Sequence, residues 1–305
     1  MPELPDIELY LSALAPRVVG RKLERLRVFS PFLLRSFEIP PSEAHGKRVE
    51  GLRRLGKRIV LGFEGELFLV IHLMIAGRFQ WWEPQKPETK PGGKIALAAF
   101  DFERATLGLT EASKKKRASL YVVRGEAALA AHDPGGLDPL NVDLAAFRAA
   151  LTRENHTVKR TLTDPHVFSG IGNAYSDEIL HRARLSPLKW TTRLDDDEVA
   201  RLHAATGAVL REWIARLREQ TGDAFPSKVT AFRPEMAVHG KYRQPCPVCG
   251  APVQRIVHAE NESNYCAQCQ TGGKVLADRS LSKLLKGDWP RTLEEWEALR
   301  KPSTG

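Results

Sequence analysis

The sequence lacks any apolar run near the roughly 20 residues that a membrane-spanning helix needs. Its first residues are acidic, so it also lacks the basic and then apolar pattern of a secretion signal. It has neither a low-complexity tract nor an internal repeat, and hydrophobic residues make up 42% of its 305 positions. These absences argue against membrane and disordered classes. We therefore expect a cytoplasmic globular protein with no membrane partner and room for more than one domain.

Cysteine is scarce, and its four occurrences all fall within residues 246–269. This confinement excludes a disulfide framework spread over the chain. Cys246 and Cys249 form one CxxC pair, Cys266 and Cys269 form a second, and sixteen residues separate the pairs. The spacing is typical of a structural zinc site, in which two tight turns aim four thiolates at one ion. A redox dithiol is the alternative, but it needs only one pair, so we expect Zn²⁺ and no organic cofactor.

Acidic residues are in the minority, with 37 Asp and Glu against 46 Lys and Arg, which gives a net charge of +9. Such an excess favours a polyanionic partner, although a solvated basic surface gives the same count. The basic residues cluster within 53–58 and again within 114–117. Clustering favours a surface that binds nucleic acid over a solvated basic surface with no specific partner.

Apolar periodicity predicts an α+β multidomain chain. One amphipathic helix is expected over residues 6–18, followed by a β-rich region to about residue 125. Within 58–82 we predict two strands joined at Glu64–Glu66, with further strands at 95–102 and 118–123. Helices are predicted within 144–153, 176–186 and 195–219. The expected domains are 1–130 (β-rich), 141–235 (helical), 240–273 (cysteine module) and 274–305 (a tail that packs on the body).

The stretch FSGIGNAYSDEIL, residues 168–180, contains a glycine turn before a predicted helix. Gly170 and Gly172 permit backbone conformations that other residues resist, and Asn173 stands where the helix begins. Peptide N–H groups that point outward at a helix start bind phosphate. A plain connection between helices is the alternative, but in a basic chain the turn favours contact with a DNA backbone.

The N-terminal stretch MPELPDIEL raises a different question. Pro2 suits the start of a helix, yet removal of Met1 would also expose a secondary amine beside Glu3, which is a potential nucleophile. Lys57 precedes an apolar strand and His72 lies in the next one. Taken alone, these two residues indicate an exposed lysine and a hydrogen-bonded core histidine.

Taken together, these stretches resemble a known family. PELPDIE, GKRIVL, HLMIAGRF, LDPLN, the glycine turn and the paired CxxC motifs occur in the order and spacing of the formamidopyrimidine-DNA glycosylase and endonuclease VIII family. The resemblance covers residues 2–273. It implies an N-terminal helix plus β-sandwich and a C-terminal helix-two-turn-helix domain with a zinc finger, with damaged or abasic DNA bound between the domains. It also implies a monomer that removes a damaged base and cleaves the resulting abasic site.

The resemblance also implies roles for individual residues. Pro2 matches the nucleophile that forms a Schiff base with deoxyribose C1′, Glu3 the neighbouring acid, and Lys57 a lysine that contacts DNA and assists elimination. Glu178 matches a carboxylate that we expect to support the site. The implied catalytic set is Pro2, Glu3 and Lys57, and the DNA-contacting set is Lys57, Ile75, Arg117, Lys159, Gly172, Asn173 and Asn261.

The chain departs from the family pattern at three places. Asn261 stands five residues before the third cysteine, where the family has a phosphate-gripping arginine, and it cannot form a bidentate clamp. Met74 or Ile75 replaces the usual methionine wedge. The loop TEASKKKRAS, which contains Arg117, keeps positive charge but has no aromatic residue. Two alternatives therefore stay open: a lyase for abasic sites, single strands or unusual lesions that has lost oxidised-base excision, and a non-catalytic protein that binds damaged DNA.

Overall fold

The structure, a computed structural model, describes residues 1–85, 89–226, 228–258, 261–277 and 290–298. None of the helices in these ranges has the length and apolar character that crossing a bilayer requires. The helices are α1 (Leu4–Val18), α2 (Glu126–Ala130), α3 (Leu144–Thr152), α4 (Val158–Thr163), α5 (Asn173–Arg182), α6 (Asp196–Thr221), α7 (Ala267–Thr271) and α8 (Leu293–Ala298). The strands are β1 (Leu23–Val28), β2 (Val49–Leu55), β3 (Arg58–Phe63), β4 (Leu67–His72), β5 (Gly77–Trp82), β6 (Ala96–Phe102), β7 (Ala105–Glu111), β8 (Ser119–Arg124), β9 (Val253–His258) and β10 (Asn261–Cys266).

The chain divides into two compact units. The first contains residues 1–136 and 211–231, and the second contains residues 137–210 and the described residues from 232 onward. The turn-rich stretch HDPGGLDPLN contains the first boundary. The long helix α6 has its N-terminal part in the second unit and its last turns in the first.

Helix α1 confirms the helix predicted for residues 6–18 and starts two residues earlier. The backbone N–H of Glu3 donates to the Asp6 carboxylate at 3.0 Å, which satisfies a donor at the helix start. The inner face carries Ile7, Tyr10 and Leu14, each fully buried. Their spacing of three and four residues places them on one side of the helix, so α1 packs its apolar stripe into the core of the first unit.

The first unit is a β-sandwich of two antiparallel four-stranded sheets, as predicted. One sheet has the order β1-β6-β7-β5 and the other β2-β3-β4-β8. A single hydrophobic cluster takes side chains from both sheets, for example Leu61 and Leu69 from one and Phe79 and Phe100 from the other. The outer face of β3 and β4 is also buried, in a second cluster with Leu129 of α2. This explains why both strands are continuous apolar runs.

The prediction of two strands within residues 58–82 is wrong, because this run contains three. β3 and β4 pair across the Glu64–Glu66 turn, but a second turn at residues 73–76 sends β5 into the other sheet. In that turn Met74 has a φ of +52°, and the N–H of Gly77 bonds to the Leu73 carbonyl at 2.8 Å. The turn is built mainly from apolar residues and lacks the polar turn signals on which the prediction relied.

The second unit combines helices with a β9–β10 hairpin. The helices predicted within 144–153, 176–186 and 195–219 are confirmed as α3, α5 and α6. Asp143 caps α3 by accepting from Ala146 N at 2.8 Å. The tail was expected to pack on the body, and for the described residues Leu276 and Leu293 do pack against the buried Ile256 and Tyr265.

We predict that Gly77→Ala destabilises the first unit. An added Cβ would lie 2.2 Å from the Leu73 carbonyl oxygen, so the turn that passes the chain between the sheets must open. Overpacking of this kind typically costs about 1–3 kcal/mol in the free energy of unfolding, measurable by urea denaturation. The matched control is Gly51→Ala on β2, where nothing lies within 4 Å of the added atom. Equal stability of the two variants would contradict the prediction.

Candidate functional site

The first unit gathers charged groups around the start of the chain. Glu3 is only 3% exposed, and Pro2 is buried next to it. Burial lowers the pKa of the Met1 α-amine; Glu3 raises it again, whereas Arg78 and Lys57 lower it further. Burial likewise lowers the pKa of Lys57, which lies in the β2–β3 turn, and Glu3 opposes this effect. The structure therefore brings Glu3 and Lys57 close to the N-terminal amine and favours its neutral form.

His72 lies close to the same charged groups. Its Nδ1 accepts the backbone N–H of Met74 at 3.0 Å, so the neutral ring carries its proton on Nε2. Burial lowers the His72 pKa to about 4, and Arg58 and Lys57 act in the same direction. His72 is therefore a neutral hydrogen-bond donor at pH 7. The hydrogen bond expected of a core histidine is present, but His72 is only half-buried, and its position opposite Arg58 in the β3–β4 register places it beside positive charge.

Ile75, a predicted DNA contact, lies in the 73–76 turn. The residue is 57% exposed, whereas isoleucine is among the residue types most often buried. Arg78 fixes the turn, because its Nη1 donates to the Ile75 carbonyl at 3.1 Å and its Nε donates to the Val229 carbonyl at 2.5 Å. The turn thus presents an exposed apolar side chain from a braced backbone.

Arg117, a second predicted contact, lies in the basic loop between β7 and β8. The loop closes on Glu111, whose side chain is buried and whose carboxylate accepts Arg117 N at 2.9 Å and Ala118 N at 3.1 Å. The side chains of Lys114, Lys115 and Arg117 remain exposed. Sequence reasoning missed Glu111, although an acidic residue isolated in a basic loop was a signal for this role.

In the second unit, α5 begins at Asn173 as predicted for the glycine turn. The two glycines differ, however. Gly170 has a φ of +88°, which requires glycine, whereas Gly172 has a φ of −132°, an extended conformation open to any residue. The expectation of an unusual backbone conformation is therefore wrong for Gly172. The Asn173 side chain donates to the Glu262 carbonyl at 2.8 Å, so its amide group is oriented by the β9–β10 hairpin.

Lys159 lies beside this turn, on the short helix α4. Its ammonium group donates to the Asn173 carbonyl at 3.2 Å and forms an ion pair with Asp177. The Lys159 side chain is 13% exposed and that of Asp177 is fully buried. The positive charge predicted to meet phosphate is thus held at the start of α5 by a buried carboxylate.

Two adjacent carboxylates of α5, those of Asp177 and Glu178, accept hydrogen bonds from segments distant in sequence. Asp177 also accepts His239 Nδ1 at 2.8 Å and the N–H of Asn264 at 3.1 Å. Glu178 accepts the backbone N–H groups of residues 237, 238 and 239 at 2.8–2.9 Å. Burial raises the Glu178 pKa, and these three N–H groups counteract the rise. The supporting role expected for Glu178 agrees with these contacts.

The four cysteines converge at one point of the second unit. Their sulfur atoms all lie within 4.8 Å of one another, and the cross-pair distances are 3.9 Å for Cys246–Cys269 and 3.4 Å for Cys249–Cys266. Zn–S bonds of about 2.3 Å in a tetrahedron place sulfur atoms about 3.8 Å apart, so the cluster fits zinc. Burial raises the pKa of Cys266, and that of Cys269 to about 11, so a cation is needed to keep these thiols ionised at neutral pH.

Local backbone geometry explains how the two sulfur atoms of each CxxC pair are directed toward the same point. In the first pair, Gly250 N donates to the Cys246 carbonyl at 2.9 Å, and the φ of Gly250 is +74°. In the second, Cys266 caps α7, and Cys269 N donates to its sulfur at 3.4 Å. Both CxxC segments therefore form tight turns, as their spacing predicts.

Comparison with known proteins agrees with this architecture. The formamidopyrimidine-DNA glycosylase N-terminal domain matches residues 1–117, the H2TH domain of the same enzyme matches 136–223, and the zinc finger found in that enzyme and in IleRS matches 243–272. A formamidopyrimidine-DNA glycosylase of Heliobacterium modesticaldum is 32% identical over 284 residues, which cover 88% of this chain and all of the relative. The chain belongs to the formamidopyrimidine-DNA glycosylase family.

Other members of the glycosylase family give the same result. The formamidopyrimidine-DNA glycosylase of Thermus thermophilus is 33% identical over 286 residues, covering 90% of this chain and all of the relative. A substituted Lactococcus lactis enzyme, solved in complex with DNA that contains Fapy-dG, is 25% identical with a TM-score of 0.77, covering 88% of this chain and all of that one. The predicted family, its sandwich, H2TH and zinc-finger fold, structural zinc and a DNA partner are thereby confirmed.

Family membership does not test individual site residues. Pro2, Glu3, Lys57, Ile75 and Arg117 all fall in the first unit, and Lys159, Gly172 and Asn173 in the second. Asn261 is the first residue of β10, but its side chain lies outside the described part of the structure. The roles of these residues stay predictions.

We predict that Asp177→Asn strongly destabilises the second unit. The change removes the negative charge shared by Lys159 and His239 and leaves a buried ammonium group without its counterion. Loss of one partner of a buried pair typically costs about 3–5 kcal/mol, measurable as a lower urea midpoint. The control is Asp196→Asn, which removes the partner of Arg148 but changes a side chain that is 88% exposed. That variant should lose less than about 1 kcal/mol.

Proposed function

We propose that the chain is a base-excision DNA glycosylase with abasic-site lyase activity, and that the Pro2 amine is its nucleophile. The observation that carries the assignment is the group of charges around the chain start, where Glu3 and Lys57 flank an amine whose pKa burial lowers. A free α-amine has a pKa of about 8, so any lowering increases the neutral, nucleophilic fraction at pH 7. After removal of Met1, the amine of Pro2 would be the N-terminal amine beside Glu3 and Lys57. Because the substrate is DNA, we also propose a cytoplasmic location, associated with the nucleoid when the protein is bound to DNA.

The chemistry follows from a secondary amine. The Pro2 nitrogen attacks deoxyribose C1′, the bond from C1′ to the base breaks, and the base leaves with a proton. Ring opening breaks the C1′–O4′ bond and leaves a Pro2–C1′ iminium ion, and Glu3 is suited to protonate O4′. An iminium ion of proline has no N–H to lose and so stays cationic. It therefore withdraws electrons from C2′, which favours loss of the C2′ proton and elimination of the 3′ phosphate, a step that Lys57 would assist.

The remaining predicted residues would bind DNA. The exposed loop around Arg117 and the braced Ile75 would meet the duplex from the first unit, with Ile75 filling part of the stack that a flipped nucleotide vacates. Lys159 and the Gly172–Asn173 turn would meet phosphates from the second unit. His72 adds a candidate that the sequence analysis did not name, since a neutral imidazole with its proton on Nε2 can donate to a phosphate oxygen.

Borohydride trapping on DNA with a single abasic site tests the nucleophile. Wild type should form a covalent adduct, and Pro2→Gly should form at least about tenfold less, because a glycine amine is less rigidly held and its imine can lose its proton. Peptide mass spectrometry should find a chain that begins at Pro2 and carries the sugar on that residue. A retained Met1 in the active protein would overturn the assignment.

Lys57→Ala is the control for the other nearby amine. It should still form the adduct, although strand cleavage should slow. If Lys57→Ala abolishes trapping while Pro2→Gly does not, the nucleophile is Lys57. Trapping that is equal in wild type and Pro2→Gly would also remove Pro2 from the mechanism.

We propose further that the chain prefers substrates that need little extrusion: abasic sites, single strands or lesions that are already unstacked. Asn261 offers no charged clamp at the position of the family's arginine, and Glu260 and Glu262 flank it with negative charge. Arg255 neutralises part of that charge, because its Nη1 lies 3.3 Å from the Glu262 carboxylate. Among the described hairpin residues, Arg255 is the cation nearest the tip, and its charge is already paired with Glu262. This pairing weakens the attraction between the hairpin and the phosphates that flank a flipped base.

Rates on matched oligonucleotides would test this preference. Cleavage of single-stranded and duplex abasic DNA should exceed excision of 8-oxoguanine opposite cytosine by at least about tenfold, because unstacking a paired base costs a few kcal/mol. Asn261→Arg should increase excision of the duplex lesion and leave abasic cleavage nearly unchanged, because only extrusion needs the clamp. Efficient 8-oxoguanine excision by the wild type would contradict the proposal without affecting the assignment of Pro2.

A further inference from the structure

One face of α5 is directed at the zinc finger along its whole length. Asn173, Asp177 and His181 follow at four-residue intervals, a spacing that places side chains on the same side of a helix. Asn173 contacts the Glu262 carbonyl and Asp177 accepts the N–H of Asn264. The third position, His181, reaches a metal ligand.

His181 Nε2 lies 3.2 Å from the sulfur of Cys246. Both residues are buried, with His181 7% and Cys246 2% exposed. A zinc-bound thiolate carries no proton and can only accept a hydrogen bond, so the imidazole nitrogen that faces it must be the donor. The contact links residues 65 positions apart in sequence, so it joins α5 to the first CxxC turn within the second unit.

We propose that His181 is a positioning residue for the zinc site: its Nε2–H donates to the Cys246 thiolate, retains the metal and fixes the finger to α5. Neither the CxxC spacing nor the family match assigns this role. Donors to a coordinating atom orient the ligand and reduce the negative charge that the metal must compensate. The same helix begins with the Asn173 turn, so the bond also connects the metal site to the element expected to meet phosphate.

Zinc release from the full-length, zinc-loaded protein tests the proposal. The probe is the rate at which zinc passes to the chromophoric chelator 4-(2-pyridylazo)resorcinol. Loss of a group that orients a metal ligand typically costs about 10–100-fold in affinity, so His181→Phe should release zinc at least about tenfold faster. His181→Gln places an amide N–H near the same position and should stay within about threefold of the wild type.

His203→Phe is the matched control. His203 lies on α6 in the same unit, is half-buried, and has its Nε2 2.9 Å from the Val142 carbonyl. Its replacement removes a histidine hydrogen bond without touching the finger, so zinc release should not change. If His181→Phe does not fold, His181→Met supplies a second variant of similar size without a donor.

Cobalt substitution gives a readout that stability alone would not move. A hydrogen bond lowers the energy of the thiolate lone pair, so the sulfur-to-cobalt charge-transfer band should shift to longer wavelength in His181→Phe and stay near the wild-type position in His181→Gln. Unchanged zinc release together with an unchanged cobalt spectrum in His181→Phe would overturn the proposal. So would equal effects of the Phe, Met and Gln variants, since the donor would then be irrelevant.

Discussion

The second unit depends on placing two neighbouring carboxylates in its interior. Asp177 and Glu178 are 1% and 6% exposed, an arrangement that is strongly unfavourable unless every charge is matched by donors. The donors come from α4, from the 237–239 segment and from β10. Because no single segment satisfies the pair, all three must assemble on α5 together. The segment that leads into Cys246 is held by these contacts, so they help to position the zinc turn together with the metal.

The first unit is built mainly on apolar burial, although it also holds buried polar side chains such as Glu3, Asp101 and Glu111. Its sheets bury apolar residues on their inner faces, and β3 and β4 do so on both faces. The low dielectric of such surroundings moves the pKa values of Lys57, His72 and the α-amine toward their neutral forms. The neutrality that a nucleophilic amine needs thus comes mainly from burial in the first unit; Lys57 acts in the same direction and Glu3 against it.

Features encoded within a few residues were predictable from the sequence. The zinc ligands and the start of α5 depend on local spacing, and both were found. The turn at residues 73–76 was missed because its residues are mainly apolar and Met74 takes a positive φ without glycine. The roles of Asp177 and His181 could not be predicted, because the partners Asn264 and Cys246 are 87 and 65 residues away in sequence. Such contacts become visible only when the fold brings separate segments together.

The closure of the basic loop on Glu111 affects how the proposed DNA-contacting surface can vary between related proteins. The backbone at Arg117 and Ala118 is held by a buried carboxylate, and the Lys116 ammonium group also returns to the Glu111 carbonyl. Between these anchors the side chains of Lys114 and Lys115 are exposed, and the Ser113 hydroxyl donates to the Lys115 carbonyl at 3.1 Å within the loop. Mutation can therefore change the charge, length or aromatic content of the displayed side chains while the ends of the loop stay fixed. If the loop binds DNA as proposed, its contacts with DNA can therefore change with little penalty in folding.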